Sequence, residues 1–123
     1  MRFLPLMVLL LVVITTGCSR EAGDALTTIN AEDRALGKVK SIIIRGGCFG
    51  CHDINEHRFG PSWIEVSARY KNDPEATQKL IESVTHGSGG KWSEVVGNNV
   101  MAPNNAKVND VEIAAVVEYI LSL

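Results

Sequence analysis

The feature that most constrains this chain is a five-residue motif, Cys-Phe-Gly-Cys-His, at positions 48–52. If the motif forms a helical turn, Cys48 and Cys51 lie three residues apart on the same face, so both thiols can reach the two vinyl groups on one edge of a porphyrin. His52 follows directly, and its imidazole can approach the iron from one side of the ring. The spacing therefore predicts covalent attachment of one c-type haem, with His52 as an axial ligand.

Two other uses of a Cys-x-x-Cys spacing have to be weighed. Structural zinc normally takes four ligands, and the sequence has no second Cys-x-x-Cys; only His52, His57 and His86 could complete the shell. A redox dithiol usually lies in a βαβ setting, and no strand–helix–strand pattern surrounds residue 48. A zinc module and a redox dithiol therefore remain alternatives, but haem attachment fits the sequence better.

The beginning of the chain has the pattern of an export signal. A basic start is followed by an apolar run at 3–14 and then by Thr-Thr-Gly-Cys at 15–18. The apolar run is shorter than the ~20 residues that span a bilayer as a helix, so residues 1–17 are interpreted as a signal peptide. The polar stretch 18–30 is predicted to be a tether, and residues 31–123 to form one small domain.

Cys18 is the odd cysteine of the three in the sequence. The residues before it resemble a bacterial lipobox, in which the cysteine becomes the lipidated first residue of the processed chain, although Thr15 stands where leucine is usual. Several acyl chains would hold a small protein firmly at a membrane. The resemblance implies a periplasmic protein that is lipid-anchored to a bacterial membrane; the alternative is ordinary cleavage nearby.

Apolar periodicity predicts an all-α domain. Asn30 and Asn109 are suitable caps for the first and last helices, and the Ser62 to Glu65 spacing is that of a capping box. The four expected helices lie at about 31–46, 62–70, 73–86 and 109–121. Gly87 is expected to end the third helix. Helical spacing predicts a buried face in the first helix, formed by Leu36, Val39 and Ile43, and an apolar stripe in the last, formed by Ile113, Val116, Val117, Ile120 and Leu121. Between the last two, residues 86–105 are rich in Gly and Asn and are predicted to form a long loop, a kind of segment that usually carries function.

Met101 lies within this predicted loop. Because Met1 and Met7 leave with the signal peptide, Met101 is the only methionine of the processed chain. Most methionines fill cores, but a polar loop stiffened by Pro103 is an unusual place for such a residue. We therefore predict that Met101 is the second axial ligand, a combination with histidine that raises the reduction potential relative to two imidazoles.

Together these residues resemble the small bacterial class I cytochromes c. The resemblance covers 31–123 and includes, in family order, the first helix, the haem motif, Gly60-Pro61, Gly-Gly-Lys-Trp at 89–92, Met-Ala-Pro at 101–103 and the last helix. It implies that the Pro61 carbonyl orients the imidazole of His52, and that Trp92 donates its indole N–H to a haem propionate. Ala102 is a departure, since many relatives have a second proline there.

The resemblance also implies a function. The expected fold is the cytochrome c fold, with about four short helices around one covalently bound haem c. Iron with two protein ligands has no open site for substrate, so we expect a one-electron carrier that meets redox protein partners through small interfaces, and not an enzyme. The alternative is a haem-based gas-binding or sensor protein in which Met101 dissociates. The net charge of −2 argues against nucleic acid as a partner.

Overall fold

The computed structural model describes residues 21–123, with side chains from Asn30 onward. The helices in this range are α1 (Glu21–Gly46), α2 (Trp63–Tyr70), α3 (Ala76–His86), α4 (Ser93–Val96) and α5 (Asp110–Leu121). A 3-10 turn spans Cys48–Gly50, and two short strands, β1 (Ser88–Gly89) and β2 (Val100–Met101), pair antiparallel. The predicted all-α class is confirmed, with the two strands as a minor addition.

The predicted signal peptide, residues 1–17, and Cys18 lie outside the described residues. Among residues 21–123, none of the helices combines the length and the apolar character that crossing a membrane requires.

Helix α1 begins earlier than the sequence predicted. The expected cap at Asn30 is wrong, because the backbone is already helical from Glu21, within the segment predicted to be a tether. This segment contains no proline, so nothing stops a helix from extending backwards once its later turns are held in place. The side chains of residues 30–38 are exposed, whereas Ile42 and Ile43 are buried. Only the last turns of α1 therefore pack on the domain.

Helix α5 is the element on which the others are assembled, since α1, α2 and α3 all pack against it. The predicted apolar stripe of α5 is largely confirmed, although Leu121 is only partly buried. In α1 the core contact is made by Ile42 and Ile43, while the predicted Leu36 is exposed. The buried core consists of Ile42, Ile43, Trp63, Val66, Val108, Ile113, Val116, Val117 and Ile120.

Two capping boxes fix where α2 and α5 begin. Ser62 Oγ accepts a hydrogen bond from the Glu65 N–H at 3.2 Å, and the Glu65 carboxylate accepts from the Ser62 N–H at 2.8 Å. Asn109 and Glu112 repeat this arrangement at α5. The predicted capping box at Ser62 and the predicted cap at Asn109 are confirmed, and each arrangement satisfies two backbone donors that have no partner within the helix.

The predicted loop at 86–105 is more ordered than expected. It contains β1, α4 and β2, and the strand pairing places Ser88 opposite Met101 and Gly89 opposite Val100. Strands of two residues are too short to produce a detectable alternation in sequence. The pairing returns Met101 to the end of α3, where Gly87 terminates the helix as predicted.

Candidate haem site

One apolar cleft brings the predicted site residues together. Its wall is formed in part by Cys48, Cys51, His52, Pro61, Trp92 and Met101. Most of the remaining wall is apolar and comes from α1, α2, α3 and α5, with Ile42, Val66, Leu80, Val84 and Val116 among the contributors. A cleft with mostly apolar walls and a few convergent polar groups is the usual form of a cofactor site.

The cysteine motif forms the 3-10 turn after α1. Gly47, with φ 70°, reverses the chain at the end of the helix, a conformation that glycine adopts without steric cost. The His52 N–H then donates to the Cys48 carbonyl at 3.0 Å. Residues three apart in a 3-10 turn lie on one side, which suits two thioether bonds to one porphyrin edge. Burial raises the pKa of the Cys48 thiol, while Cys51 is exposed.

The imidazole of His52 is held by the backbone carbonyl of Pro61, which lines the same cleft. Its Nδ1 lies 2.8 Å from the carbonyl oxygen of Pro61. A carbonyl can only accept a hydrogen bond, so Nδ1 carries the proton and Nε2 keeps its lone pair for a metal. The contact therefore fixes both the tautomer and the direction of the ring.

Gly60 packs directly against the imidazole of His52. A Cβ built on Gly60 would lie 2.5 Å from Cε1 and 2.8 Å from Nδ1 of His52, closer than real side chains approach. Only glycine therefore allows this position of the ring. The sequence showed a Gly-Pro pair but not the contact of Gly60 with His52, which depends on the chain folding back on itself after the haem motif.

Met101 is partly buried on β2 and lines the same cleft as His52. Gly87 lies against its backbone: a Cβ there would be 2.6 Å from the Met101 carbonyl oxygen and 3.0 Å from Pro103 Cδ. After Pro103, the Asn104 N–H donates to the Val84 carbonyl at 2.9 Å. The Met101 segment is thus fixed to the end of α3 on both sides.

Asn104 was not singled out by any sequence pattern. Its side-chain amide donates to the Gly46 carbonyl at 3.1 Å and lies 4.0 Å from Cys48 Sγ. It therefore connects the Met101 segment to the end of α1, beside the cysteine turn. Its partners are more than fifty positions away, and local periodicity carries no signal for such a contact.

Trp92 lines the cleft and is held from behind by Arg69. The Arg69 guanidinium lies 3.5 Å from the centre of the Trp92 ring, a cation–π contact. Arg69 also donates to the Lys91 carbonyl at 2.6 Å and forms an ion pair with Glu94. One side chain of α2 thereby fixes the backbone and the ring at the start of α4.

The other histidines lie away from the cleft wall. His57 is exposed, with Nδ1 3.7 Å from a Glu65 carboxylate oxygen, and His86 is exposed at the end of α3. Within residues 21–123, no three Cys, His, Asp or Glu side chains form a group that could hold a metal ion by themselves. Two neighbouring thiols, one imidazole, one thioether and apolar walls are instead a donor set that fits haem c.

Comparison with known proteins agrees with this assignment. The family sequence model described as cytochrome c matches residues 37–123. Cytochrome c-551 of Allochromatium vinosum is 34% identical over 79 residues, which are 64% of this chain and 79% of that protein. The crystal structure of Nitrosomonas europaea cytochrome c552 has a TM-score of 0.62 at 27% identity and covers 68% of this chain and 98% of its own. The class 1 cytochrome MtoD of Sideroxydans lithotrophicus has a TM-score of 0.60 at 29% identity, with coverages of 71% and 94%.

A helical domain whose apolar cleft is lined by a Cys-x-x-Cys-His turn is the fold and site of a single-haem protein that carries electrons. The chain belongs to the cytochrome c family. It binds covalently attached haem c and acts as a one-electron carrier, not as an enzyme. The comparisons give no support to the sensor alternative, and membership of the family excludes the zinc and dithiol alternatives.

Proposed function

We propose that this chain is an exported carrier whose haem iron is ligated by His52 and Met101. The observation that carries the proposal is that both side chains line the same cleft as the cysteine turn. The contact between His52 Nδ1 and the Pro61 carbonyl supports it further, because it leaves Nε2 as the free ligand atom. With both axial positions taken by protein, the iron changes its oxidation state without binding a substrate.

Pro61 and Trp92 have supporting roles in this proposal. The Pro61 carbonyl accepts the Nδ1 proton of His52 and so holds the imidazole plane in one orientation. Trp92 donates its indole N–H to a haem propionate. Its ring lines the cleft and is fixed by the Arg69 guanidinium, and both features favour such a contact.

The cleft walls suit a rapid exchange of electrons with a partner. Apolar side chains of α2, α3 and α5 surround most of the site, so little water has to reorient when the charge on the iron changes. Phe49 and Cys51 are exposed within the haem motif, which leaves an edge that another redox protein can approach. Such transient encounters use small interfaces.

The ligation is tested by replacing Met101 in the haem-loaded protein. Oxidised wild type should show the weak red absorption band of sulfur-to-iron charge transfer. Met101→His should remove that band, keep the iron low-spin and lower the reduction potential, because imidazole favours ferric iron more than thioether does. Met101→Ala should open the sixth position. Fast and tight binding of carbon monoxide by the reduced wild type would instead favour the sensor.

We further propose that residues 1–17 direct export to the periplasm and that Cys18 carries the lipid anchor. Support comes from the order of a basic start, an apolar run and Thr-Thr-Gly-Cys. Cys18→Ser should move the haem protein from the membrane fraction to the soluble periplasmic fraction, provided that another peptidase processes the signal. A wild-type mass without acyl chains would contradict the anchor and leave the haem site unaffected.

A further inference from the structure

Lys91 and Ser83 form a polar pair in the wall of the cleft, away from the cysteine turn. The Lys91 ammonium donates to Ser83 Oγ at 3.1 Å, and the Ser83 hydroxyl donates its own proton to the Lys79 carbonyl at 2.8 Å. Ser83 is 8% exposed, and both Lys91 and Ser83 line the cleft. The hydroxyl is therefore fixed as an acceptor for the ammonium, which has two further protons to donate.

Lys91 differs from neighbouring cations because it has no carboxylate partner within residues 30–123. Arg69 pairs with Glu94, and Lys79 pairs with Asp73 and Glu75. No such ion pair is formed by Lys91, although it is anchored on two sides. Its side chain rests on α3 through Ser83, and its carbonyl accepts from Arg69 of α2. A fixed cation without a counter-charge at a cofactor cleft is suited to an anionic group of the cofactor.

The chemistry of haem supplies such a group. Thioether bonds to Cys48 and Cys51 hold the vinyl edge of the porphyrin, and the two propionates extend from the edge away from the vinyl groups. The only other cation that lines the cleft among the described residues is Lys107. Its Nζ is 3.8 Å from a Cβ built on Gly47, and its charge acts on the Cys48 thiol. Lys107 thus belongs to the cysteine side of the cleft, whereas Lys91 contacts α2 and α3.

We propose that Lys91, positioned by Ser83, is the counter-charge of one haem propionate. A carboxylate next to apolar walls is costly unless it is paired and hydrogen-bonded, and the ammonium supplies both the charge and the donor. Trp92, the next residue, supplies a second donor to the same edge in the proposed function. This inference deepens that function and depends on the haem but not on Met101 as a ligand.

Pairing with Lys91 should keep the propionate ionised over the working pH range. A cation within about 4–6 Å lowers the pKa of a carboxyl by about 1–3 units. The other charged side chains on the elements at this end of the cleft are Glu65 and Arg69 on α2, Lys79, Glu82 and His86 on α3, and Glu94 on α4. Glu65 lies at the first turn of α2, where its carboxylate accepts from the Ser62 N–H. Arg69, Lys79 and Glu94 already have partners of opposite charge. Glu82 is bonded to Gln78, and His86 is exposed.

The test is the pH dependence of the reduction potential of haem-loaded variants. Lys91→Met keeps an apolar stem and removes the charge, Lys91→Arg keeps the charge, and Lys107→Met removes a charge from the other side of the cleft. Removing the counter-charge should raise the pKa of the propionate. In Lys91→Met the inflection in a plot of potential against pH should therefore move upward by about one pH unit or more. Lys91→Arg and Lys107→Met should keep the wild-type inflection.

Two results would overturn the proposal. One is a Lys91→Met inflection at the wild-type pH; the other is an equal shift in Lys107→Met, which would indicate a general effect of net charge. The pyridine haemochrome spectrum and the far-ultraviolet circular dichroism of each variant are recorded first. A loaded, folded Lys91→Met protein with no shift contradicts only the role of Lys91, whereas a wild type without covalent haem would contradict the haem site itself.

Discussion

Gly60→Ala is the substitution with the most direct expected effect on the proximal side of the haem. Gly60 is buried, and its φ is not positive, so alanine can adopt its backbone conformation. The added methyl group, however, would lie 2.5 Å from His52 Cε1, and ordinary contact begins at 3.4 Å. The imidazole would have to move by about 0.9 Å, the difference between these distances. The 2.8 Å contact of Nδ1 with the Pro61 carbonyl cannot survive such a movement unchanged.

The cost can be estimated from the two contacts involved. Overpacking a filled site costs about 1–3 kcal/mol, and a weakened hydrogen bond adds about 0.5–1.5 kcal/mol. Unfolding of the haem-loaded oxidised protein by guanidinium, followed through the haem absorption, should show a loss of roughly 1.5–4.5 kcal/mol. The same variant should gain high-spin character, because the displaced imidazole binds the iron less well.

Gly50→Ala is the matched control for this experiment. Gly50 lies inside the haem motif, its φ is also not positive, and a Cβ there meets nothing within 4 Å. We expect it to change the free energy of unfolding by less than about 0.5 kcal/mol. The reasoning would be refuted if Gly60→Ala kept the stability and low-spin spectrum of the wild type, or if Gly50→Ala lost as much stability.

Two further predictions concern the Met101 segment and acid stability. Gly87→Ala should weaken the red sulfur-to-iron band and destabilise the protein, because alanine disfavours φ +82° and its Cβ would meet the Met101 carbonyl. Gly90→Ala is the control: its φ is +73° and a Cβ there meets no atom within 4 Å, so this variant should be strained but keep the band. An equal loss of the band in both variants would contradict this. The Ser62 N–H lowers the pKa of Glu65 below its ordinary value of 4.5, and Lys79 lowers the pKa of Asp73 below its ordinary value of 3.8. Each ionised carboxylate therefore stabilises the fold above its ordinary pKa, and this stabilisation is lost as the pH falls below that value. Glu65→Gln, which can still cap α2, should therefore flatten the fall in guanidinium midpoint between pH 5 and 3, roughly the range in which carboxyl groups titrate; a fall as steep as in the wild type would contradict the role of Glu65.

The sequence by itself determined the features that depend on neighbours along the chain. The spacing of Cys48, Cys51 and His52 predicted the cofactor, while the Ser62 capping box and the Asn109 cap predicted the starts of α2 and α5. These features are local: a cap joins residues three apart, and a haem motif occupies a single turn. The predicted start of α1 was wrong because a capping residue such as Asn30 only weakly favours a helix beginning there, and a longer helix can override it.

Only the tertiary structure decided how distant segments meet. The contact of Gly60 with His52, the bond from Asn104 to Gly46 and the attachment of Lys91 to α3 join residues from different elements. No periodicity encodes these contacts, because they depend on how α3 and the Met101 segment pack around α5. The sequence therefore predicted which residues could hold the haem, whereas the packing of the helices brought them to one cleft and set the charges around it.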